Sequence, residues 1–177
     1  TVDGRRQSID RPAVLDKVES QKQLIVKCMH PYNVARVDQL VKQLIQFQLT
    51  HGGKEFVCKT LCDLAFHAQE YSLFQLQLTE YSISIVEDDA WSWTQNGKAL
   101  QNLNRLDASL AAYDRAREFA SENVAAKTGR AEVLKSLGKL DQALDAYTTV
   151  VDEHPENVVA KTGRAEVLKS LEKLDQA

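Results

Sequence analysis

The sequence predicts an all-α protein in which antiparallel helix pairs stack into a solenoid. The first observation is self-repetition, because residues 122–143 recur almost unchanged as residues 156–177, displaced by 34 positions. A fixed period of this size is typical of stacked repeats, in which each unit buries its apolar face against its neighbours. The second observation is that apolar residues within each period recur at i, i+3, i+4 and i+7 on two short segments, which indicates paired amphipathic helices.

The composition is that of a folded, largely helical chain. Of 177 residues, 44% are hydrophobic and 27% are charged, whereas only seven are glycine and three are proline. A formal net charge of −3 argues against non-specific electrostatic binding to nucleic acid, which requires clustered Lys and Arg. It also gives no reason to expect binding to an anionic membrane. No stretch approaches the roughly 20 apolar residues that span a bilayer.

The cysteines predict a reducing compartment. Cys28, Cys58 and Cys62 are odd in number and lack the spacing of a disulfide framework, so we expect a cytoplasmic protein. The chain begins at Thr1 and stops inside a repeat. We therefore expect an excised piece of a longer repeat array, in which the lack of a targeting signal has little meaning.

Three registers align on the 34-residue period: 90–123, 124–157 and the incomplete 158–177. One column of small residues should let the two helices of a pair approach closely, and columns of larger residues should fill the space between pairs. The column of small residues comprises Gly97, Ala131 and Ala165. The larger columns include Leu100, Leu134 and Leu168, and Tyr113 and Tyr147.

The connections within each pair also repeat. Asn104, Gly138 and Glu172 share the turn column, and Asn and Gly both tolerate a left-handed conformation at a helix end. Glu172 in that conformation would cost on the order of 1 kcal/mol, so we expect the last pair to be frayed or rearranged. We expect the second helices to be N-capped by Asp107, Asp141 and Asp175.

The helical pattern continues before Ala90 with weaker repetition. Aligning Ala65 with Gly97 makes residues 58–89 a diverged repeat. Residues 12–53 form a further hairpin, either a capping region or a distinct small helical domain, so residues 12–89 are read as diverged or capping hairpins. Residues 1–11 have no periodicity and are predicted to be a flexible terminus or linker. The predicted helices are 12–29, 33–50, 54–70 and 73–87.

The repeated pattern resembles the tetratricopeptide repeat, whose signature is W-x2-L-G-x2-Y, followed by A-x3-F and then P. Trp93 and Gly97 match in the first register, and Ala143, Tyr147 and Pro155 match in the second. The resemblance covers residues 90–177 and implies a right-handed α-solenoid that presents a concave groove to a peptide or protein. The departures from the signature are Lys127 and Lys161 in the Trp column and Asn96, Arg130 and Arg164 in the Leu column.

The resemblance further implies that the first helix of each pair lines the groove. Gly129 and Gly163 should make this groove locally shallow, although a mid-helix Gly is about 1 kcal/mol less favourable than Ala. The two glycines are explained either by close approach of a ligand backbone or by drift copied in a duplication. Trp91 is either a partner anchor or a cover over the preceding pair. The predicted partner-binding residues are Trp91, Thr94, Gln95, Lys98, Asn102, Thr128, Glu132, Lys135, Thr162, Glu166 and Lys169.

Catalytic and metal-binding motifs are missing from the sequence, so we expect no enzyme activity, no cofactor and no metal. There is no H-E-x-x-H, no G-x-S-x-G and no phosphate-binding loop. Cys58 and Cys62 are spaced i, i+4, whereas zinc sites have four ligands and closer cysteine pairs, so buried structural thiols are favoured. Glu87, Asp88 and Asp89 precede a helix and are expected to complement its dipole rather than bind a cation.

The function predicted from these features is a non-enzymatic scaffold that binds a peptide or protein in the groove. The alternative is a sensor or regulatory arm of a larger enzyme or signalling protein, which the flanking sequence would reveal. RNA binding by helical repeats needs a basic groove, whereas Glu132 with Lys135 gives no net positive charge. A clamp for a C-terminal carboxylate, known in the family, is disfavoured because Gly129 and Gly163 stand where Asn and Arg are needed.

The incomplete last repeat carries a separate prediction. Its apolar residues lack a partner pair, and an exposed apolar end favours end-to-end self-association. These residues are Val167, Leu168, Leu171 and Leu174.

Overall fold

A computed structural model describes residues 11–28, 34–68 and 71–175 of the chain. All regular secondary structure within these ranges is α-helical. In chain order the helices are α1 (Arg11–Cys28), α2 (Val34–His51), α3 (Lys54–His67), α4 (Ser72–Ile85), α5 (Ala90–Asn102), α6 (Leu106–Phe119), α7 (Val124–Ser136), α8 (Leu140–Glu153) and α9 (Val158–Asp175).

Successive helices pack into pairs, α1 with α2, α3 with α4, α5 with α6 and α7 with α8, and α9 packs against α8. The first helices of neighbouring pairs also touch, since α3 contacts α5, α5 contacts α7 and α7 contacts α9. The result is the predicted right-handed α-solenoid of stacked antiparallel helix pairs. The surface formed by α3, α5, α7 and α9 is called the inner face below.

The N-terminal helices confirm the pattern-based prediction to within a few residues at each end. The predicted helix ends at Met29, Asn33 and Glu70 lie outside the described residues, as do residues 1–10 of the predicted linker 1–11. The linker prediction is wrong for Arg11, which is the first residue of α1. A buried apolar cluster runs continuously through α1 to α4 and includes Ile25 of α1. None of the described helices is long and apolar enough to cross a membrane.

The first helix of each C-terminal repeat begins with a side-chain cap. An Oδ of Asp89 accepts a hydrogen bond from the backbone N–H of Ser92 at 3.0 Å, at the start of α5. Asn123 and Asn157 cap α7 and α9 in the same way, at 3.1 and 2.9 Å. Each cap satisfies a backbone donor that has no partner within the helix, which helps to define where the helix begins.

The predicted caps on the second helices are wrong. Because α6 begins at Leu106 and α8 at Leu140, Asp107 and Asp141 lie inside the first turn rather than before it. Their charges complement the positive end of the helix dipole there without a capping hydrogen bond. Asp175 lies at the end of α9, not at the start of a further helix.

The turns inside the C-terminal pairs have the expected backbone. Asn104 has φ 56° and Gly138 has φ 72°, the left-handed conformation that ends α5 and α7. The backbone N–H of Arg105 reaches back to the carbonyl of Leu100 at 2.9 Å, which closes the first turn. At the third position of this column Glu172 remains helical, so α9 continues without a break to Asp175. The last pair is therefore rearranged as expected, because its first helix extends through the position at which α5 and α7 end.

The two mid-helix glycines make room for tyrosine rings. A Cβ at Gly129 would lie 2.6 Å from Cε1 of Tyr113, and a Cβ at Gly163 would lie 2.5 Å from Cε1 of Tyr147. Both tyrosines are buried, at 3% and 0% exposure. Packing against the tyrosine rings thus gives a physical reason for the glycines beside the two explanations offered from sequence, ligand approach and duplication drift. In α5, where Gln95 replaces the glycine, the residue 34 positions before Tyr113 is Thr79 instead of tyrosine.

Candidate partner-binding groove

Three open clefts lie in a row along the inner face. The N-terminal cleft, between α3 and the start of α5, has a volume of about 550 Å³. The central cleft, between α5 and α7 and reaching the start of α9, has a volume of about 630 Å³. The C-terminal cleft, between α7 and α9, is smaller at about 290 Å³.

The structure distributes the predicted partner-binding residues over these clefts. The central cleft is lined by Thr94, Gln95, Lys98, Asn102, Thr128 and Glu132. The C-terminal cleft is lined by Glu132, Lys135, Thr162 and Glu166. Trp91 lines the N-terminal cleft, whereas Lys169 is exposed on α9 and lines none of the three.

Sequence reasoning missed several residues that line the central cleft. Gln101, Ala125 and Val159 are among them, and the 34-residue period contains the signal that could have found them. Gln101 shares a column with Lys135, and Ala125 and Val159 share the column of Trp91. The same cleft is also lined by Tyr113, Val124 and Asn157. These residues lie on a second helix or at a helix end, where comparison of repeat positions within the first helices does not predict groove residues.

The groove threonines are engaged within the protein. The hydroxyl of Thr94 donates to the carbonyl of Ala90 at 2.8 Å and accepts from Nδ2 of Asn123 at 2.9 Å. Thr128 accepts from Nδ2 of Asn157 at 3.4 Å. Each Asn therefore caps its own helix through Oδ1 and ties it to the preceding inner-face helix through Nδ2.

A related contact joins α3 to α5. Sγ of Cys62 lies 3.9 Å from Oδ2 of the cap Asp89, and 3.2 Å from Oγ of Ser92. Oγ of Ser92 lies 2.7 Å from Oγ of Ser82, and Sγ of Cys58 lies 2.8 Å from that Ser82 oxygen. This buried polar network anchors the start of α5 to α3 and α4.

The two thiols of this network are held in the neutral form. Burial raises the pKa of Cys62 to about 12, and the carboxylate of Asp89 adds to the effect. Burial also raises the pKa of Cys58. Both cysteines are free, as Cys28 is, and the expectation of buried structural thiols is confirmed for Cys58 and Cys62.

The charged groove residues pair between repeats rather than within one helix. Nζ of Lys135 on α7 lies 2.6 Å from Oε2 of Glu166 on α9. The hydrogen bond and charge of Lys135 lower the pKa of Glu166. The pairing of Lys135 with Glu132 at i, i+3, considered from sequence, is not the one that forms. Glu132 instead faces the tyrosine layer. Burial raises the pKa of Tyr113, and the charge of Glu132 adds to this effect.

The two tryptophans have different roles. Nε1 of Trp93 donates to the carbonyl of Glu87 at 2.6 Å, and its ring packs between two apolar clusters. The side chain of Trp91 is 41% exposed at the edge of the N-terminal cleft. Trp91 is therefore the aromatic residue of α5 that presents surface to solvent on the inner face.

Arg130 points away from the groove. Its Nε donates to Oδ1 of Asp114 on α6 at 2.7 Å, and Arg117 contacts the same oxygen at 3.4 Å. Arg130 lines a separate cleft of about 590 Å³ together with residues of α6 and α8. No arginine lines any of the three inner-face clefts in the described part of the chain.

Two of the three acidic residues before α5 form contacts within the protein. Glu87 lies 3.2 Å from Arg115, and Asp89 caps α5. Within the described ranges, no group of His, Cys, Asp and Glu side chains is arranged to hold a metal ion. Asp88 is exposed and lines the N-terminal cleft.

The stacked helix pairs define a helical-repeat protein. Residues 94–158 and 129–177 match the family described as tetratricopeptide repeat. Residues 94–177 belong to the tetratricopeptide-repeat family, as the sequence resemblance over residues 90–177 predicts. No curated protein shows significant similarity to the chain.

Solved structures with the same fold are distant in sequence. The tetratricopeptide-repeat domain of Arabidopsis OM64 has a TM-score of 0.64 at 16% identity, covering 67% of this chain and 99% of that domain. The first such domain of human RPAP3 has a TM-score of 0.64 at 15% identity, covering 68% and 96%. A putative kinesin light chain from Podospora anserina, with nearly identical repeats, has a TM-score of 0.62 at 14% identity, covering 90% and 89%. At these identities the likeness shows the fold alone.

Proposed function

We propose that this protein is a non-enzymatic scaffold that binds a peptide or protein segment along its inner face. The observation that carries the proposal is the row of three open clefts, one at each junction between neighbouring inner-face helices. Tetratricopeptide repeats are in general protein–protein interaction modules. A continuous row of this kind suits an extended segment that contacts several repeats at once.

An apolar column along the clefts supports the same proposal. Trp91 is 41% exposed, Val159 is 53% exposed, and Ala125 between them is also exposed. The three positions are spaced by the 34-residue period, so each repeat offers one apolar side chain at the equivalent position of its first helix. Exposed apolar residues in a polar surround are typical anchors for a partner. Lys98, Glu132 and the Lys135–Glu166 pair form the polar surround.

The test is site-specific photo-cross-linking in cells of the source organism. A benzophenone side chain placed at Asn102, in the central cleft, should attach to a discrete partner protein. The matched control carries the same group at Asp152, an exposed position on α8. Adding Val159→Asp to the Asn102 probe should abolish the adduct, because a carboxylate at that position disrupts the apolar column.

Two results would count against the proposal. Identical adducts from Asn102 and Asp152 would show that contact with the inner face is not selective. An adduct at Asn102 that persists unchanged with Val159→Asp would show that the apolar column does not contribute. Circular dichroism of each variant checks that the helices remain folded.

The exposed end of α9 supports a weaker, second interaction. Leu168 is 43% exposed, whereas Val167 is buried in the apolar cluster of α7 and α8 and Leu171 packs against that cluster. The expectation that these apolar residues lack a partner is therefore wrong for Val167 and Leu171. The side chain of Leu174 lies outside the described residues. Self-association through α9 should therefore be weak and should be lost in Leu168→Lys, as measured by sedimentation velocity. The free thiols support placement of the protein in the cytoplasm.

A further inference from the structure

The N-terminal cleft differs in charge from the other two. The described side chains that line it include four carboxylates and a single ammonium group, Lys59. In the central cleft, Lys98 and Glu132 are the charged side chains, one of each sign. In the C-terminal cleft, the Lys135–Glu166 pair is formed between its own walls. Glu132 also lines that cleft and leaves it with one excess carboxylate, so the row of clefts is most strongly acidic at its α3 end.

Two of the four carboxylates are engaged within the protein. Asp63 lies 3.3 Å from Nζ of Lys22, and Asp89 accepts hydrogen bonds from the backbone and hydroxyl of Ser92. Glu55 and Asp88 are exposed and form no ion pair with any described residue. They lie on opposite sides of the cleft, Glu55 in the first turn of α3 and Asp88 just before α5. A cation between them would meet negative charge from both walls.

The rest of the cleft suits a flat, weakly hydrated cation. The partly exposed ring of Trp91 forms part of the wall, and an aromatic face attracts a guanidinium by cation–π interaction. The Cys58 and Cys62 side chains line the cleft as neutral, poorly hydrated groups. Arginine stacks on aromatic rings and pairs with carboxylates through a planar fork, whereas the ammonium of lysine is compact and strongly hydrated.

We propose that the N-terminal cleft is a specificity subsite for an arginine side chain of the segment bound along the inner face. Trp91 contacts the face of the guanidinium, and Glu55 and Asp88 pair with its charge. This inference rests on the proposed function, because it requires a segment bound along the inner face. The arginine would lie at one end of that segment and would fix the direction and position of the segment in the groove. The negative charge of the cleft favours a basic side chain over an acidic one.

The experiment is selection from a displayed library of random peptides. Wild-type protein is compared with the double variant Glu55→Gln, Asp88→Asn and with a charge-matched control, Asp145→Asn, Asp152→Asn, on α8. All four residues are at the surface, so the variants should fold. Wild type and control should select peptides that share an arginine at one position relative to apolar residues. The cleft variant should select related peptides without that arginine.

A second measurement uses one selected peptide and its analogue with citrulline in place of arginine. Citrulline keeps the shape of the side chain and removes its charge. Wild-type protein should bind the analogue on the order of tenfold more weakly, the size expected for a partly desolvated cation–π contact. The Glu55→Gln, Asp88→Asn variant should distinguish the two peptides much less.

The outcomes separate this inference from the proposed function. Selected peptides without a preferred arginine would overturn the arginine subsite and leave groove binding intact. Lysine enriched in place of arginine would overturn the guanidinium assignment. An arginine preference that survives in the cleft variant would place the basic contact elsewhere and overturn the proposal. If wild type selects no peptides, the proposed function and the subsite are both overturned.

Discussion

Tyr147 on α8 occupies the space that a side chain at Gly163 on α9 would fill. A Cβ at position 163 would lie 2.5 Å from Cε1 of the tyrosine, and Tyr113 stands in the same relation to Gly129. In both cases the tyrosine precedes the glycine by 16 residues. The second helix of one repeat thus inserts its ring against the backbone of the next inner-face helix. This contact sets how closely α8 approaches α9 and how α6 approaches α7.

Gly129→Ala should destabilise the protein even though alanine is the better helix former. Alanine gains about 1 kcal/mol in helix propensity, but its methyl group overlaps the buried Tyr113 ring, and overpacking of this kind costs about 1–3 kcal/mol. We expect a net loss on the order of 1 kcal/mol in the free energy of unfolding, measured by urea denaturation.

The control for this prediction removes the ring. In a Tyr113→Leu background, Gly129→Ala should be neutral or stabilising, because only the helix-propensity effect remains. The same destabilisation in both backgrounds would show that the ring is not what requires glycine at this position.

Asn123→Ala should cost more than the loss of a helix cap alone. Asn123 caps α7 through Oδ1 and also donates to Thr94 on α5. Loss of the cap is worth about 1 kcal/mol and loss of the hydrogen bond about another 1 kcal/mol. Asn123→Ser should lose only the second part, since serine caps well but is too short to reach Thr94. Urea denaturation of both variants measures the difference.

Thr94→Val supplies the matched background for this comparison. With the acceptor removed, Asn123→Ser should have a much smaller effect than in the wild type. Equal effects in the two backgrounds would mean that the bond between α5 and α7 contributes nothing to stability.

The carboxyl of Glu166 should titrate below its ordinary pKa of 4.5, because Lys135 donates a hydrogen bond to it and adds a favourable charge. A carboxyl whose pKa is lowered in the folded state stabilises the fold above its unfolded pKa. That contribution is lost as the pH falls through the folded pKa. NMR titration of the side-chain carboxyl carbon measures the shift directly.

Lys135→Met should return the pKa of Glu166 towards 4.5, whereas Lys169→Met, on an exposed position of α9, should leave it lowered. If both variants have the same effect, the shift arises from the general field of the groove and not from the pair between α7 and α9.

The cysteines should differ in their reactivity towards iodoacetamide. Cys28 is partly exposed, whereas Cys58 and Cys62 are buried, and burial raises their pKa values, to about 12 for Cys62. Because the thiolate is the reactive form, the folded protein should be alkylated first at Cys28. Mass spectrometry of peptides after timed labelling measures the order, and denaturant should remove it. Equal rates in the folded protein would contradict the buried network around Ser82 and Ser92.

Local signals in the sequence predicted the helices well but misplaced some of their ends. Gly138 and Asn104 predicted left-handed turns correctly, because few other residues adopt positive φ without strain. Asp107 and Asp141 looked like caps, but the helices begin one residue before them. The true caps, Asp89 and the two asparagines, precede the inner-face helices. Capping depends on backbone geometry at a single residue, which periodicity locates only to within a residue or two.

Within the groove, the 34-residue period predicted which residues of the inner-face helices line the clefts, but not which hydrogen bonds and ion pairs those residues form. Thr94 and Thr128 lie on the inner face as predicted, yet their hydroxyls bind asparagines from the next repeat. Lys135 pairs with Glu166 and not with Glu132 on its own helix. Contacts between repeats depend on how far one helix is displaced against the next, and a pattern within one repeat does not specify that displacement.

By itself, the sequence determined the repeat length, the helix pairs, the family and the absence of recognisable catalytic motifs. The repeat length and the helix pairs follow from periodicity and local backbone preference, and the family follows from resemblance to the repeat signature. All of these can be read along the chain. Only the tertiary structure decided that tyrosine rings pack against Gly129 and Gly163, and which carboxylates of the N-terminal cleft remain unpaired. Those depend on side chains from different helices meeting in space, where steric overlap and charge are settled by packing rather than by sequence separation.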